Sequence, residues 1–314
     1  VKDRVARHVI ERAECHGLLR PGATIIESSS GNLGIALAFL GAARGYRVII
    51  IVDPKASPQN ISLMRAYGAE VIVEDRPDST GNYHETRIER ARGLRDRIPG
   101  SYWVNQTNNP WNAEAHHLGT GQEILHDCGG ALDVCVVPVS SGGQAAGVAA
   151  AIKDASSAIQ VVAVDIEGSA IFTGGGHHYV TPGMGLSWRP AILNESLLDE
   201  VYLLNDRDCC SAARYLARRG LLVGPSAGAV FLVCCHLALT SHRNHWIAGV
   251  LADSGERYMQ TIFSDAWVTE HGMTLWCSSD QLLQIAASLR PYSRPAAARR
   301  AMAQSNVNAS PAAD

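Results

Sequence analysis

Short apolar runs alternate along this chain with longer amphipathic stretches. ATII (23–26), YRVIIIV (46–52), AEVIVE (69–74) and SYWVN (101–105) are brief, rich in β-branched residues and largely free of polar alternation. Runs of that kind predict strands of a parallel sheet covered on both faces. Between them lie helical patterns: VARHVIERAECHGLL (5–19), LGIALAFLGAARG (33–45), SPQNISLMRAYG (57–68) and residues 80–97. Gly45 and Gly68 read as C-terminal stops, and Ser57 followed by Pro58 reads as a helix start. The alternation resumes with a helix around 111–127, a strand at 132–139, a Gly-rich turn and helix, and a strand at 159–166. VYLLN (201–205), a helix over 206–219, LLVG (221–224), a helix over 226–240 and HWIAGVLA (245–252) follow a long irregular stretch at 167–197. Strand and helix in turn predict an α/β fold, with two domains of mostly parallel twisted sheet flanked by helices. We place the domains at 1–105 and 106–268, with a C-terminal extension over 269–314. From about Ser288 that extension is Ala-, Arg-, Pro- and Ser-rich and predicts disorder, since it offers little apolar surface to offset ordering entropy.

Composition narrows the function classes. With 314 residues, 46% of them hydrophobic and 18% charged, the chain has ordinary globular character. A net charge of −3 gives no basic surface for nucleic acid and nothing that steers the protein to a membrane. No apolar run reaches the roughly 18 residues of a membrane span, and no signal peptide precedes the first helix, so a cytoplasmic protein is expected. The eight cysteines include two adjacent pairs, Cys209-Cys210 and Cys234-Cys235, and none at zinc-finger spacing. They are read as small buried hydrophobes in a reducing compartment. His236, His242 and His245 lack the spacing of a helical metal site, so no metal is expected.

Three Gly/Ser-rich loops stand at strand-to-helix junctions: SSSGNLG (28–34), SSGGQ (140–144) and GPSAG (224–228). Each places backbone amides and hydroxyls at a helix N-terminus, where an anion is favoured. None is a Walker A loop or a G-x-G-x-x-G turn, so a nucleotide is not the expected ligand.

VKDR, ESSSGNLGIALA, YWVNQTNNPWNAEAHHLGTGQEI, VPVSSGGQAAGV, PGMG, GLLVGPSAGA and ADSGERY occur in an order and spacing that resemble the cysteine synthase family. Those proteins are fold type II (tryptophan synthase β-like) pyridoxal-phosphate enzymes, and the likeness runs from about Val1 to Val268. The resemblance implies pyridoxal 5′-phosphate as cofactor and a cytoplasmic homodimer acting on small amino-acid substrates. By it Lys2 matches the lysine that holds the cofactor as a Schiff base. The role suits an amine, which loses its proton beside a cationic group in a dry cleft and later acts as a base. Asn32 matches the residue facing the cofactor's ring oxygen. Ser140, Ser141, Gly142, Gly143 and Gln144 match its phosphate cup, and Ser226 matches the hydroxyl at its pyridine nitrogen. Ser29, Ser30, Gly31, Asn32 and Leu33 match the loop that clasps a substrate α-carboxylate. Gln106 matches a residue facing the same carboxylate, and Gly183 and Met184 match the loop beside the lysine.

There are departures from the family pattern. Leu33 replaces a threonine, Gln144 replaces a small hydroxyl residue, and Ala252 replaces a proline. Arg189 lies one position from an arginine of the glutamate-using members, where it either binds an anionic substrate group or is a surface arginine. VDPKASPQNISLMRAYGAEV, EDRPDSTGNY, VDIEGSAIF and ERYMQTIFSDAWV are similar to those glutamate-using members. That likeness implies β-replacement of O-phospho-L-serine by L-glutamate, feeding 2,3-diaminopropionate supply for siderophores or peptide antibiotics. The alternatives are cysteine synthesis from an O-substituted serine and sulfide, and a non-catalytic sensor that binds the cofactor or an amino acid. In the family a segment with a strand and a Gly-Ser turn precedes VKDR, so the chain as given is expected to be a fragment.

Overall fold

The structure, a computed structural model, describes residues 1–77, 83–241 and 244–293. The chain divides into two compact units, Val1–His116 and His117–Asp314. The C-terminal segment expected to be disordered lies, from residue 294 on, outside the described residues.

The first unit runs α1 (Lys2–Cys15), β1 (Thr24–Ser28), α2 (Asn32–Arg44), β2 (Arg47–Val52), α3 (Pro58–Ala66), β3 (Glu70–Val73), α4 (His84–Arg97), β4 (Tyr102–Trp103) and α5 (Pro110–Ala115). Its sheet has the order β3-β2-β1-β4, every pair parallel. Alternate residues of the strands bury into opposite layers, which is why the runs look apolar throughout. Ile25, Val48, Ile50 and Val52 pack with Val5, Val9 and Ile10 of α1 and Leu37 of α2. Ile26, Ile49 and Ile51 face the other way, onto Ala91 of α4. Gly45 closes α2 in the left-handed conformation (φ 74°), as a glycine stop should. Ser57 stands at the N-cap of α3, but its side chain makes no capping bond. There the fixed φ of Pro58 opens the helix instead.

The second unit runs α6 (Gly121–Asp127), β5 (Val134–Pro138), α7 (Gly143–Ala155), β6 (Gln160–Ile166), α8 (Ala170–Thr173), β7 (Glu200–Leu204), α9 (Asp206–Ala217), α10 (Pro225–Thr240), β8 (Ile247–Gly249), α11 (Asp265–Glu270) and α12 (Ser279–Ser288). Its sheet has the order β7-β6-β5-β8, again wholly parallel. Val136, Val162 and Val164 pack with Cys209, Val230 and Val233 of α9 and α10, whereas Cys135, Val137 and Val161 pack with Val148 and Ile152 of α7.

Two expected elements differ. The helix read over 111–127 is broken by a π-helical turn, His116–Thr120, between α5 and α6. Such a turn inserts a residue into the helical ladder and shifts the apolar pattern after it by one position, and the short flanking helices α5 and α6 hold too few turns for that shift to stand out in the sequence. LLVG makes no strand, only a single antiparallel bridge from Val223 to Ser254, with Gly220 left-handed before it and α10 starting after it.

Candidate active site

Strand order locates the sites before any side chain is considered. In the first unit the chain goes from β1 to β2 and β3 on one side, then returns to β4 on the other. The switch point is therefore between β1 and β4, where the loops leaving both C-terminal strand ends diverge and a crevice opens. Those loops are Ser29–Gly31 and Val104–Asn109. In the second unit the switch falls between β5 and β8. The loops there are Val139–Gly142 and Val250–Ser254. Three of the Gly/Ser or family-like motifs, SSSGN, VNQTNN and VSSGG, occupy these positions.

Within the first unit, Ser28 ends β1 and Asn32 begins α2. The serines between do unequal jobs. Ser29 Oγ accepts the Gly34 N–H (3.1 Å), which ties down the first turn of α2. Ser30 Oγ donates to Asp53 Oδ2 (2.7 Å) and accepts from Arg87 Nη1 (2.8 Å), while its carbonyl accepts from Asn60 Nδ2 (3.1 Å). Arg87 is buried and pairs with Asp53 at 3.0 Å. The Ser30 hydroxyl is thus occupied by the protein, and what the loop offers a ligand is its backbone and Gly31. No atom lies within 4 Å of where a Gly31 Cβ would stand. Leu33 is 1% exposed and belongs to the core of the unit, so it shapes the loop from beneath. Gln106 lies in the loop after β4, its Nε2 donating to the Ser28 carbonyl (3.4 Å) and its own carbonyl accepting from Asn112 Nδ2 (2.7 Å). The SSSGN loop and Gln106 are therefore brought together. Lys2 opens α1, half-buried. The buried His116 ring is held neutral, its pKa pushed down to about 3 by burial first and by the charge of Lys2 second.

In the second unit, Ser140–Gly142 make the turn between β5 and α7. Gly142 is left-handed (φ 85°), and a Cβ there would stand 3.1 Å from Pro190 Cβ and 3.2 Å from Leu193 Cβ. Only glycine meets both demands. Ser140 Oγ donates to the Gly185 carbonyl (3.3 Å), bringing the VSSGG turn onto the PGMG loop. Gly143 and Gln144 begin α7, with Ser141 and Gln144 buried. The first turn of this helix carries no acidic side chain, and Gln144 Nε2 is buried with no hydrogen-bond partner. Free first-turn amides, the positive helix end and an orphaned amide donor suit a phosphate monoester, so the residues present fit a phosphorylated cofactor. Ser226, 2% exposed, sits in the first turn of α10 behind Pro225. Met184 is buried in the core and Gly183 is left-handed. Arg189 directly precedes Pro190, which packs on Gly142 of the turn. It pairs with Glu195 (3.2 Å) and lines, with Phe172, Ser187 and Trp188, an open cavity of about 490 Å³.

The sequence reading passed over several residues that hold these loops. Glu27 and Asp165 are carboxyls at the C-terminal ends of strands otherwise apolar, and that interruption was the available signal. Burial pushes Glu27 up to about 8 and Asp165 up to about 7. Asp165 accepts from the Ile166 amide (2.8 Å), and the Gly185 N–H donates to the Val139 carbonyl (3.2 Å), which ties the PGMG loop to the residue after β5. The Tyr258 hydroxyl donates to Asp253, whose carbonyl accepts the Gly224 N–H (3.2 Å) before Ser226. Among the described residues no group of three or more His, Cys, Asp or Glu side chains is placed to hold a metal ion. His236 Nδ1–H donates to the Ala286 carbonyl (2.8 Å), and His242 lies outside the described residues. No described helix is long and apolar enough to cross a membrane.

Known proteins share this architecture and sequence. An N-(2-amino-2-carboxyethyl)-L-glutamate synthase of Ralstonia nicotianae is 40% identical over 269 residues, 85% of this chain and 80% of the relative. One of Cupriavidus metallidurans is 40% identical over 272 residues with the same shares covered. Among solved structures, O-ureido-L-serine synthase superposes with a TM-score of 0.76 at 32% identity, covering 86% of this chain and 87% of the other. A hydrogen sulfide-producing enzyme bound to an α-aminoacrylate intermediate gives 0.81 at 27% identity, covering 94% and 86%. Residues 1–247 match the family described as pyridoxal-phosphate dependent enzyme. With that match spanning most of the chain, and a fold type II arrangement of two parallel-sheet units beneath it, this protein belongs to the pyridoxal-phosphate dependent enzymes.

Proposed function

We propose that this enzyme joins O-phospho-L-serine and L-glutamate to give N-(2-amino-2-carboxyethyl)-L-glutamate and phosphate. The observation that carries the reading is 40% identity, over 85% of the chain, to two synthases of that product. In the balance of the reaction the Cβ–O bond to phosphate breaks, a Cβ–N bond to the glutamate amine forms, and that amine gives up a proton.

Pyridoxal phosphate, when bound, draws electron density from the amino-acid Cα and so makes its proton removable. The chain's own residues do the rest. Lys2 holds the cofactor between turnovers, takes the Cα proton, and returns it to the same carbon after replacement. Ser29–Leu33 and Gln106 grip the α-carboxylate at the N-terminal end of α2, where amides and helix dipole favour it. Closure of that loop keeps water from the reacting carbon. Ser140–Gln144 would hold the cofactor phosphate and Asn32 its ring oxygen, with Gly183 and Met184 shaping the PGMG loop. Ser226 offers the pyridine nitrogen a neutral hydroxyl where a carboxylate would fix a positive charge. That choice favours elimination and replacement at Cβ over transamination. Arg189 awaits an anionic group of the second substrate, with Glu195 as the partner it must leave.

The same reading makes the protein a cytoplasmic homodimer, which sedimentation at catalytic concentration tests. Mass spectrometry of the product from O-phosphoserine, with glutamate and sulfide supplied together, tests the chemistry. The glutamate adduct is expected, and turnover of sulfide alone overturns the proposal in favour of cysteine synthesis.

A further inference from the structure

We infer that Glu27 is a positioning residue for substrate carboxylate binding: its buried carboxyl ties the start of the SSSGN loop to the loop that presents Gln106. The inference rests on the carboxylate-gripping role proposed above for those two segments, and it concerns a residue that touches neither substrate nor cofactor.

Glu27 is 2% exposed and lies at the penultimate position of β1, at the C-terminal end of the strand beside the switch point. Its Oε1 accepts the Ser28 N–H at 2.7 Å. Its Oε2 accepts the Gln106 N–H at 3.3 Å. Two backbone amides, one at the end of β1 and one in the loop after β4, therefore meet on one side chain, each on its own oxygen. Asn105 carries the local strain: with φ 51° it is the only non-glycine residue of positive φ among those described. An asparagine tolerates that conformation, but something must hold it there, since such geometry persists only where the surroundings over-determine it. The Glu27 carboxyl helps by fixing the N–H of the next residue, Gln106. On the same loop, Asn109 Nδ2 donates to the Val104 carbonyl (2.8 Å) and Asn112 Nδ2 donates to the Gln106 carbonyl (2.7 Å). The left-handed turn at Asn105 is what carries Gln106 back toward Ser28, where Gln106 Nε2 donates to the Ser28 carbonyl (3.4 Å).

A simple cap on a strand end would not need an acid. Burying a carboxyl costs free energy, and a glutamine or serine satisfies one amide at less cost. An acid is required because both oxygens must accept. The Nε2 of a glutamine has no lone pair to offer, so Glu27→Gln turns one amide contact into a meeting of two donors while keeping shape and volume.

The experiment uses the holoenzyme with three variants: E27Q, Q106A and the double variant. Hydrogen exchange at the Ser28 and Gln106 amides needs no substrate. In E27Q it is expected to accelerate about tenfold or more there while β2 stays protected. Steady-state kinetics are expected to show KM for the O-substituted serine rising about tenfold with kcat changed much less, since loop misplacement weakens the grip on carboxylate. Q106A is expected to reproduce that KM, and the double variant to add little to it, as residues acting through one another do. Unchanged amide protection in E27Q, a fall in kcat at constant KM, or additive effects in the double variant each overturn the inference. Because the α-carboxylate is common to all O-substituted serines, the same comparison runs on O-acetylserine if the wild type rejects O-phosphoserine. The proposed substrate then fails while the role of Glu27 is still decided.

Discussion

Lys2 and Glu27 stand at opposite ends of what a single residue contributes. Lys2 is an exposed-type side chain whose chemistry is its amine. Lys2→Ala is expected to abolish the visible band of the bound cofactor and to lower turnover by about 10²- to 10⁴-fold, the usual worth of a positioned acid–base group. Absorbance and single-turnover kinetics check it, and normal turnover would remove Lys2 from the mechanism. Glu27 acts through its surroundings, and its titration reaches stability. Its folded pKa is raised from 4.5 to about 8, chiefly by burial, with Arg87 as the facing charge that partly offsets it. Between those values the folded protein holds a proton that the unfolded chain has lost. Stability is therefore expected to be greatest below about pH 4.5 as far as this group is concerned, and to fall as pH rises to about 8. Urea midpoints measured across that window should flatten in E27Q. Arg87 carries a different cost. Removing it in R87A leaves Asp53 and the Ser30 hydroxyl without their buried cation. About 3 kcal/mol of stability should be lost, read from denaturant unfolding. None of these three could be ranked from sequence alone. Lys2 is singled out in the sequence by its place in VKDR, and the absorbance test decides its role, whereas Glu27 and Arg87 have partners 79 and 57 residues away, which no local pattern records.

At the scale of elements, most strands and helices were legible because both sheets are parallel and buried on two faces. A strand such as RVIIIV then has no polar face to confuse the reading, and its glycine stops announce the helix ends. What remained hidden depended on order and geometry. Strand order β3-β2-β1-β4 is a tertiary choice, yet it decides which loops share a crevice. The π-helical turn at His116–Thr120 was invisible to periodicity, and Leu33 and Met184 were read for their loops although their side chains lie in cores. The turn before α7 gives the sharpest test at this scale. In Gly142→Ala a methyl group must enter a left-handed position and approach Pro190 and Leu193, a strain of about 1–3 kcal/mol. Cofactor affinity should weaken by about ten- to a hundredfold, read by absorbance titration, if the strain is relieved by distorting the cup.

The molecule as a whole carries separate cores in its two units, with the cofactor motifs divided between them. Thermal unfolding of the apoprotein is expected to show two transitions rather than one, because cooperativity is a property of a shared core. Pyridoxal phosphate at a hundredfold excess over its Kd should raise the stability of whatever binds it by about 2.7 kcal/mol. Calorimetry with and without the cofactor reads both effects. A single transition that the cofactor leaves in place contradicts them.

The distribution of cysteines has a practical consequence. All eight thiols are free, and burial raises the pKa of Cys135, Cys209, Cys210, Cys234 and Cys235, which slows any reagent that needs a thiolate. The exposed thiols are Cys15, on α1 of the first unit, and Cys277, just before α12 of the second. A maleimide dye pair applied briefly to the native protein should therefore label one position on each half. The unmodified chain thus comes with its own two reporters, one for the local unfolding of each half.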